Sequence, residues 1–123
     1  MRNLLSFAIA VLLQIGIPFA QGSETFFNIG AAATSYGPQT WTGDNGLLWN
    51  AVNGRTDQAL TGKAMTIRDA GGNITCNAIP GGCGTLTFNY VRAFTTGSPV
   101  VQLYINGSPY GSTFTSTSAT LQN

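Results

Sequence analysis

From residue 23 onward the chain alternates apolar with polar side chains. Between Thr85 and Thr95, Leu86, Phe88, Tyr90, Arg92 and Phe94 fall on one side of an extended backbone, and Thr85, Thr87, Asn89, Val91 and Ala93 on the other. That period of two marks a strand with one face toward a core. Glu24 to Ile29, Leu47 to Val52, Ala64 to Asp69, Ile74 to Cys76 and Val100 to Asn106 read as further strands, each bounded by Gly, Asn or Pro. Asn106-Gly107 supplies the pair of residues with positive φ that a two-residue hairpin turn requires. No window after residue 23 spaces apolar residues at i, i+3, i+4 and i+7. About seven short strands at regular spacing predict an all-β, antiparallel β-sandwich. Ser112 to Asn123 trails off in Ser, Thr and Gly, so the sandwich is expected to lack its last strand or strands.

The first twenty-two residues follow a different rule. Met1-Arg2-Asn3 is a short positive start, Leu4 to Ile17 is apolar save for Ser6, Gln14 and Gly16, and Ala20-Gln21-Gly22 offers a small-x-small cleavage pattern. This is a signal peptide over residues 1–22, with cleavage after Gly22 or, alternatively, after Ala20. It is shorter than the roughly 20 apolar residues of a membrane span. The expected product is a secreted single module over residues 23–123, with no membrane association once the signal is removed.

Charge is scarce, at 7% of residues, and after signal removal Arg55, Lys63, Arg68 and Arg92 balance Glu24, Asp44, Asp57 and Asp69. A neutral chain with scattered cations lacks the clustered Lys and Arg that bind a phosphate backbone, which excludes nucleic acid as a partner of this module. Half of the mature charge nonetheless falls between Trp41 and Lys63, together with both tryptophans. That stretch is either a working constellation or an ion-pair network.

Cys76 and Cys83 are the two cysteines, flanking Pro80-Gly81-Gly82. An even count in an exported chain predicts a Cys76–Cys83 disulfide. A zinc site is disfavoured, because the chain has no histidine and the six-residue spacing is not a zinc spacing.

Catalysis finds few groups to use. Nucleophilic triads need a base beside the nucleophile, and no serine here has one. A glycosidase pair would have to be Asp44 with Asp57 or Glu24. The plainer reading places Asp44 and Asn45 in a turn with Gly46 and pairs Asp57 with Arg55, Lys63 or Arg68. The module is expected not to be an enzyme. Arg92, on the apolar side of its strand, belongs at the sandwich edge or beside a buried Asp.

Glu24-Thr25-Phe26, Trp41-Thr42-Gly43-Asp44-Asn45-Gly46 with Trp49 and Ala51, Arg55-Thr56-Asp57, Gly62-Lys63-Ala64 with Ile67-Arg68, Leu86-Thr87-Phe88 with Tyr90, and Ile105-Asn106-Gly107 together resemble a jelly-roll β-sandwich accessory module. Such modules occur in secreted multidomain bacterial proteins, often beside extracellular nuclease or other hydrolase domains. The resemblance covers nearly all of residues 23–123 and implies adjoining domains in a larger parent protein. It also implies a structural calcium near the first strand, for which Glu24, Asp44 and Asp57 are the candidate ligands, with Asn45 beside them, although no dense Asp run supports one. No other cofactor is expected.

The implied role is adhesion, spacing or weak binding of a glycan or cell-surface polymer. The alternative is a piece of a secreted hydrolase or nuclease whose catalytic domain lies outside this chain. Flat aromatic faces can stack on a sugar ring, which makes Trp41, Trp49, Tyr36, Tyr90, Tyr104 and Tyr110 candidates. Trp49 alternates with Leu47 and Ala51 and is assigned to the core. Trp41 serves as a platform or as a plug over the sandwich end. Trp41, Asp44 and Asn45 are therefore the candidate ligand-binding residues.

Overall fold

The computed structural model describes residues 22–118 and 120, apart from Asp69 and Thr95. The expected signal segment, save Gly22, lies outside the described residues, as does Asp69. Among the described residues the regular elements are all strands: β1 (Gly37–Thr42), β2 (Leu48–Arg55), β3 (Thr66–Ile67), β4 (Asn73–Cys76), β5 (Val100–Ile105) and β6 (Ser108–Thr115). Every pairing between them is antiparallel. No helix among them is long and apolar enough to cross a membrane.

Strand β2 is the centre of the larger sheet. β1 lines one edge, while β4 and β3 share the other, β4 along Trp49 to Val52 and β3 along Gly54 and Arg55. The β1–β2 register slips between Gly37 and Gln39, and Asn53, with φ of 52°, supplies the extra residue. Pro38 is tolerated there because it lies on an edge strand at the bulge, where its missing N–H removes no ladder bond. Strands β5 and β6 form a separate two-stranded sheet joined by Asn106 and Gly107, whose φ values of 51° and 79° are those of the expected hairpin turn. A second register slip follows Val101. Gln102 Nε2 caps it by donating to Tyr110 O at 3.0 Å and Leu103 O at 2.9 Å.

The core lies on the larger sheet. Trp41 is 4% exposed and Ala51 2%, with Ile29 buried beside them and Phe26, Trp49, Met65 and Ile74 packed around. Trp41 and Trp49 face each other across β1 and β2, their rings 6.1 Å apart and within 10° of parallel. Phe26 closes the stack at 5.9 Å from Trp41. A directly opposed aromatic pair of this kind is the unit that stabilises a sheet. The all-β class is thus as expected, and two antiparallel sheets with apolar faces are consistent with a β-sandwich.

Several local expectations are corrected. Glu24 to Ile29 is not a strand: Phe26 has φ of 59° and Ile29 N–H donates to Phe26 O, so the segment turns. Carboxylates take the Thr25 and Phe26 N–H groups that a ladder would have used. Ala64 to Asp69 shrinks to the two residues of β3. Thr85 to Asn89 forms no strand, and Tyr90 makes an isolated bridge. Further along, Arg92 N–H donates to Ser118 O at 3.0 Å, so among the described residues the backbone contacts of this segment are confined to its second half. β1 escapes the sequence reading because Gly37-Pro38 looks like a turn, and β6 because its Ser, Thr and Gly hide the spacing of Tyr110 and Phe114.

The predicted Cys76–Cys83 disulfide is also overturned. Both cysteines are free thiols. Pairing of β4 with β2 sets Cys76 opposite Trp49, and its Sγ lies 3.9 Å from Ala78 O. The Ile79–Gly82 turn, closed by Gly82 N–H to Ile79 O at 2.9 Å, leaves Cys83 exposed and apart from it.

Candidate functional site

The β1–β2 connection carries the residues singled out for a ligand. Gly43 N–H donates to Leu47 O at 2.8 Å and Gly46 N–H to Gly43 O at 2.9 Å, so Asp44 and Asn45 form the tip of a tight turn. Gly46 takes φ of 78°, which only glycine adopts readily. Asn45 Oδ1 accepts from Leu47 N–H at 3.3 Å, a side chain copying a backbone turn.

Glu24 and Asp44 come together across this turn, Glu24 accepting from the Asp44 backbone and Asp44 from the backbone of Thr25. Glu24 accepts from Phe26 N–H at 2.8 Å through Oε1 and from Asp44 N–H at 3.2 Å through Oε2. Asp44 accepts from Thr25 N–H at 2.8 Å through Oδ2 and from Asn28 Nδ2 at 3.5 Å through Oδ1. All four carboxylate oxygens accept hydrogen bonds, and those of Asp44 together with Glu24 Oε2 fasten residues 24–28 onto the turn. Gly43 is required beneath them, since a Cβ there would collide with Glu24 Oε2 and come within 2.8 Å of Trp49 Nε1.

Asp57, the third candidate metal ligand, is elsewhere. It receives a fork from Arg55, Nε to Oδ1 at 2.6 Å and Nη2 to Oδ2 at 2.5 Å, with Gln58 Nε2 adding a bond at 2.8 Å. Calcium wants six to eight oxygens. Among the described residues no three His, Cys, Asp or Glu gather, so the set Glu24, Asp44 and Asp57 does not fit the ion. Trp41 is also corrected: it is the most deeply buried aromatic side chain of the core, not a platform.

The Arg55 guanidinium lies between the rings of Tyr36 and Phe94, at 5.4 and 5.0 Å from their centroids, and joins the larger sheet to the segment before β5. Arg68 stands over Tyr36 at 5.8 Å. Hydrogen bonds from Arg55, above all, hold Asp57 below its ordinary 3.8, at about 2. A lowered carboxylate pKa means stability that is present above 3.8 and lost as pH falls toward 2. The denaturant midpoint is therefore expected to drop across that window, and the drop to shrink in Asp57→Asn. An unchanged acid limb in the variant would remove Asp57 from the account.

Lys63 donates from Nζ to Phe27 O and Ile29 O, each at 3.1 Å, a second fastening of the same segment. Arg92 finds no carboxylate among the described residues. Its Nη1 donates to Gly97 O at 3.1 Å, while its Nε is buried without a partner.

A different surface remains open. Leu86, Phe88, Tyr90, Leu103, Tyr110 and Phe114 line an uncharged groove of about 490 Å³ on the β5–β6 hairpin, with the hydroxyls of Thr87 and Ser112 at its border. Phe114 stands 4.9 Å from Tyr90 and 5.6 Å from Phe88, ring to ring. Tyr110 is 62% exposed. The sequence marks Tyr90, Tyr104 and Tyr110 as candidates, but not Phe114 or the convergence, which depends on the hairpin register. The chain matches no protein-family model, curated protein or solved structure.

Proposed function

We propose that this chain is a non-catalytic accessory module of an exported bacterial protein, a jelly-roll β-sandwich that serves as a spacer or adhesive unit and makes weak contact with a neutral glycan. One observation carries the reading: the charged groups of the Trp41–Lys63 stretch are engaged in hydrogen bonds within the fold, whereas the open aromatic surface bears no charge. Aromatic walls with hydroxyls at the border suit the apolar face and hydroxyl edge of a sugar ring. The volume falls within the roughly 300–1,000 Å³ of small-ligand sites. No ionised group in the lining would be left unpaired by an uncharged ligand. The structural calcium implied by the resemblance is not carried into this reading, because Asp57 pairs with Arg55 and does not join Glu24 and Asp44.

A glycan array and polysaccharide pull-down on residues 23–123 test the proposal. Binding to at least one neutral polysaccharide, weak and insensitive to salt, is expected. Binding to none eliminates the carbohydrate role and leaves a spacer. Hydrolysis of a bound polysaccharide or of nucleic acid by the purified chain would overturn the non-catalytic reading.

A further inference from the structure

The dipeptide Asn-Gly occurs three times, at Asn45-Gly46, Asn53-Gly54 and Asn106-Gly107. Asparagine before glycine is unusually prone to rearrange, because no side chain on the next residue hinders attack by its backbone nitrogen. With intrinsic chemistry shared, the surroundings decide which of the three reacts.

At Asn45 both reacting groups are tied: Gly46 N–H donates to Gly43 O at 2.9 Å, and Asn45 Oδ1 accepts from Leu47 N–H. Asn53 and Gly54 lie inside β2, where Gly54 is buried and paired with Gly37 on one side and Ile67 on the other. Asn53 O also accepts from Arg68 N–H at 3.0 Å. Asn106 and Gly107 stand at the exposed tip of β5 and β6, and among the described residues neither the Asn106 amide nor the Gly107 N–H has a hydrogen-bond partner. A two-stranded ribbon opens from its tip at low cost.

We propose that Asn106 is a site of spontaneous deamidation in this protein. The Gly107 nitrogen attacks Asn106 Cγ: the N–Cγ bond forms, the Cγ–Nδ2 bond breaks and ammonia leaves, giving a cyclic succinimide. Water then opens the ring on either side to yield aspartate or isoaspartate, with no oxidant or cofactor. The isoaspartate product inserts a backbone carbon into a two-residue turn that sets the Ile105–Ser108 pairing. Either product places a carboxylate in the stretch from Ala93 to Asn123, which otherwise has no charged side chain. Leu103, Tyr110 and Phe114 keep their places only while β5 and β6 keep register, so modification is expected to disorder the groove.

The test is peptide mapping by mass spectrometry after incubation of the full chain at mildly alkaline pH in heavy-oxygen water. The same incubation in strong denaturant compares the three sites without structure. Unfolded, the three sites should convert at similar rates. Folded, Asn106 should convert about tenfold or more faster than Asn45 and Asn53, because its opening is the least costly. Folded-state conversion of Asn45 or Asn53 as fast as Asn106, or suppression of Asn106 to the same degree as the other two, would overturn the proposal.

Discussion

Trp41→Ala is expected to destabilise the fold by about 3–5 kcal/mol, the range for removing a large aromatic from a core. Total stabilities of single domains run to only about 5–15 kcal/mol. Trp41 is the largest of the three buried apolar residues among those described, and it packs against Phe26 and Trp49. Thermal or denaturant unfolding measures the loss. Trp41→Phe sharpens the test, because among the described residues the buried Trp41 Nε1–H has no hydrogen-bond partner to lose. The Phe variant should fold and retain most of the stability. A Trp41→Ala chain with an unfolding midpoint near that of the parent would mean that the Phe26–Trp41–Trp49 stack is not the core.

The second large effect is expected at Thr56, 5% exposed at the end of β2. Its Oγ1 donates to Ala31 O at 2.6 Å and accepts from Ala33 N–H at 3.0 Å, while its own N–H donates to Ala33 O at 3.2 Å. One side chain thus holds the Ala31–Ala33 segment against the sheet. Thr56→Val keeps the shape but removes the partner of two part-buried backbone groups, so a loss toward the lower end of the roughly 1–3 kcal/mol for an unpaired buried group is expected. Thr56→Ser preserves the hydroxyl and should lose much less. Equal losses in the two variants would assign the role of Thr56 to its methyl group.

The sequence discloses the class of fold more readily than its wiring. Alternation in Leu47 to Val52 and Val100 to Asn106, and the Asn106-Gly107 turn, translate directly into β2, β5 and the hairpin, because each is a local property with a fixed period or φ. Alternation in Leu86 to Tyr90 predicts a strand, but Thr85 to Asn89 forms none and Thr87 lines the groove beside Leu86 and Phe88, because a ladder depends on whether a distant strand arrives. Charge scarcity points to Trp41–Lys63 and offers Arg55, Lys63 or Arg68 as the partner of Asp57, of which the fold uses Arg55. It could not show that Glu24 folds back onto Asp44 across 20 residues, which moves both carboxylates from candidate ligands to backbone fasteners. The disulfide expectation rests on count and compartment, whereas bonding depends on Cα separation and direction, which β4 pairing sets otherwise.

The proposed division of roles is that the turn at Asp44 holds the fold while the hairpin groove meets a ligand. The most direct measurement is a side-by-side polysaccharide pull-down of Asp44→Asn, Tyr110→Ala and the parent chain, each first shown to be folded. The account predicts that Asp44→Asn binds as the parent does, with a lowered unfolding midpoint, and that Tyr110→Ala keeps its midpoint and loses binding. Loss of binding in folded Asp44→Asn with binding intact in Tyr110→Ala would contradict it.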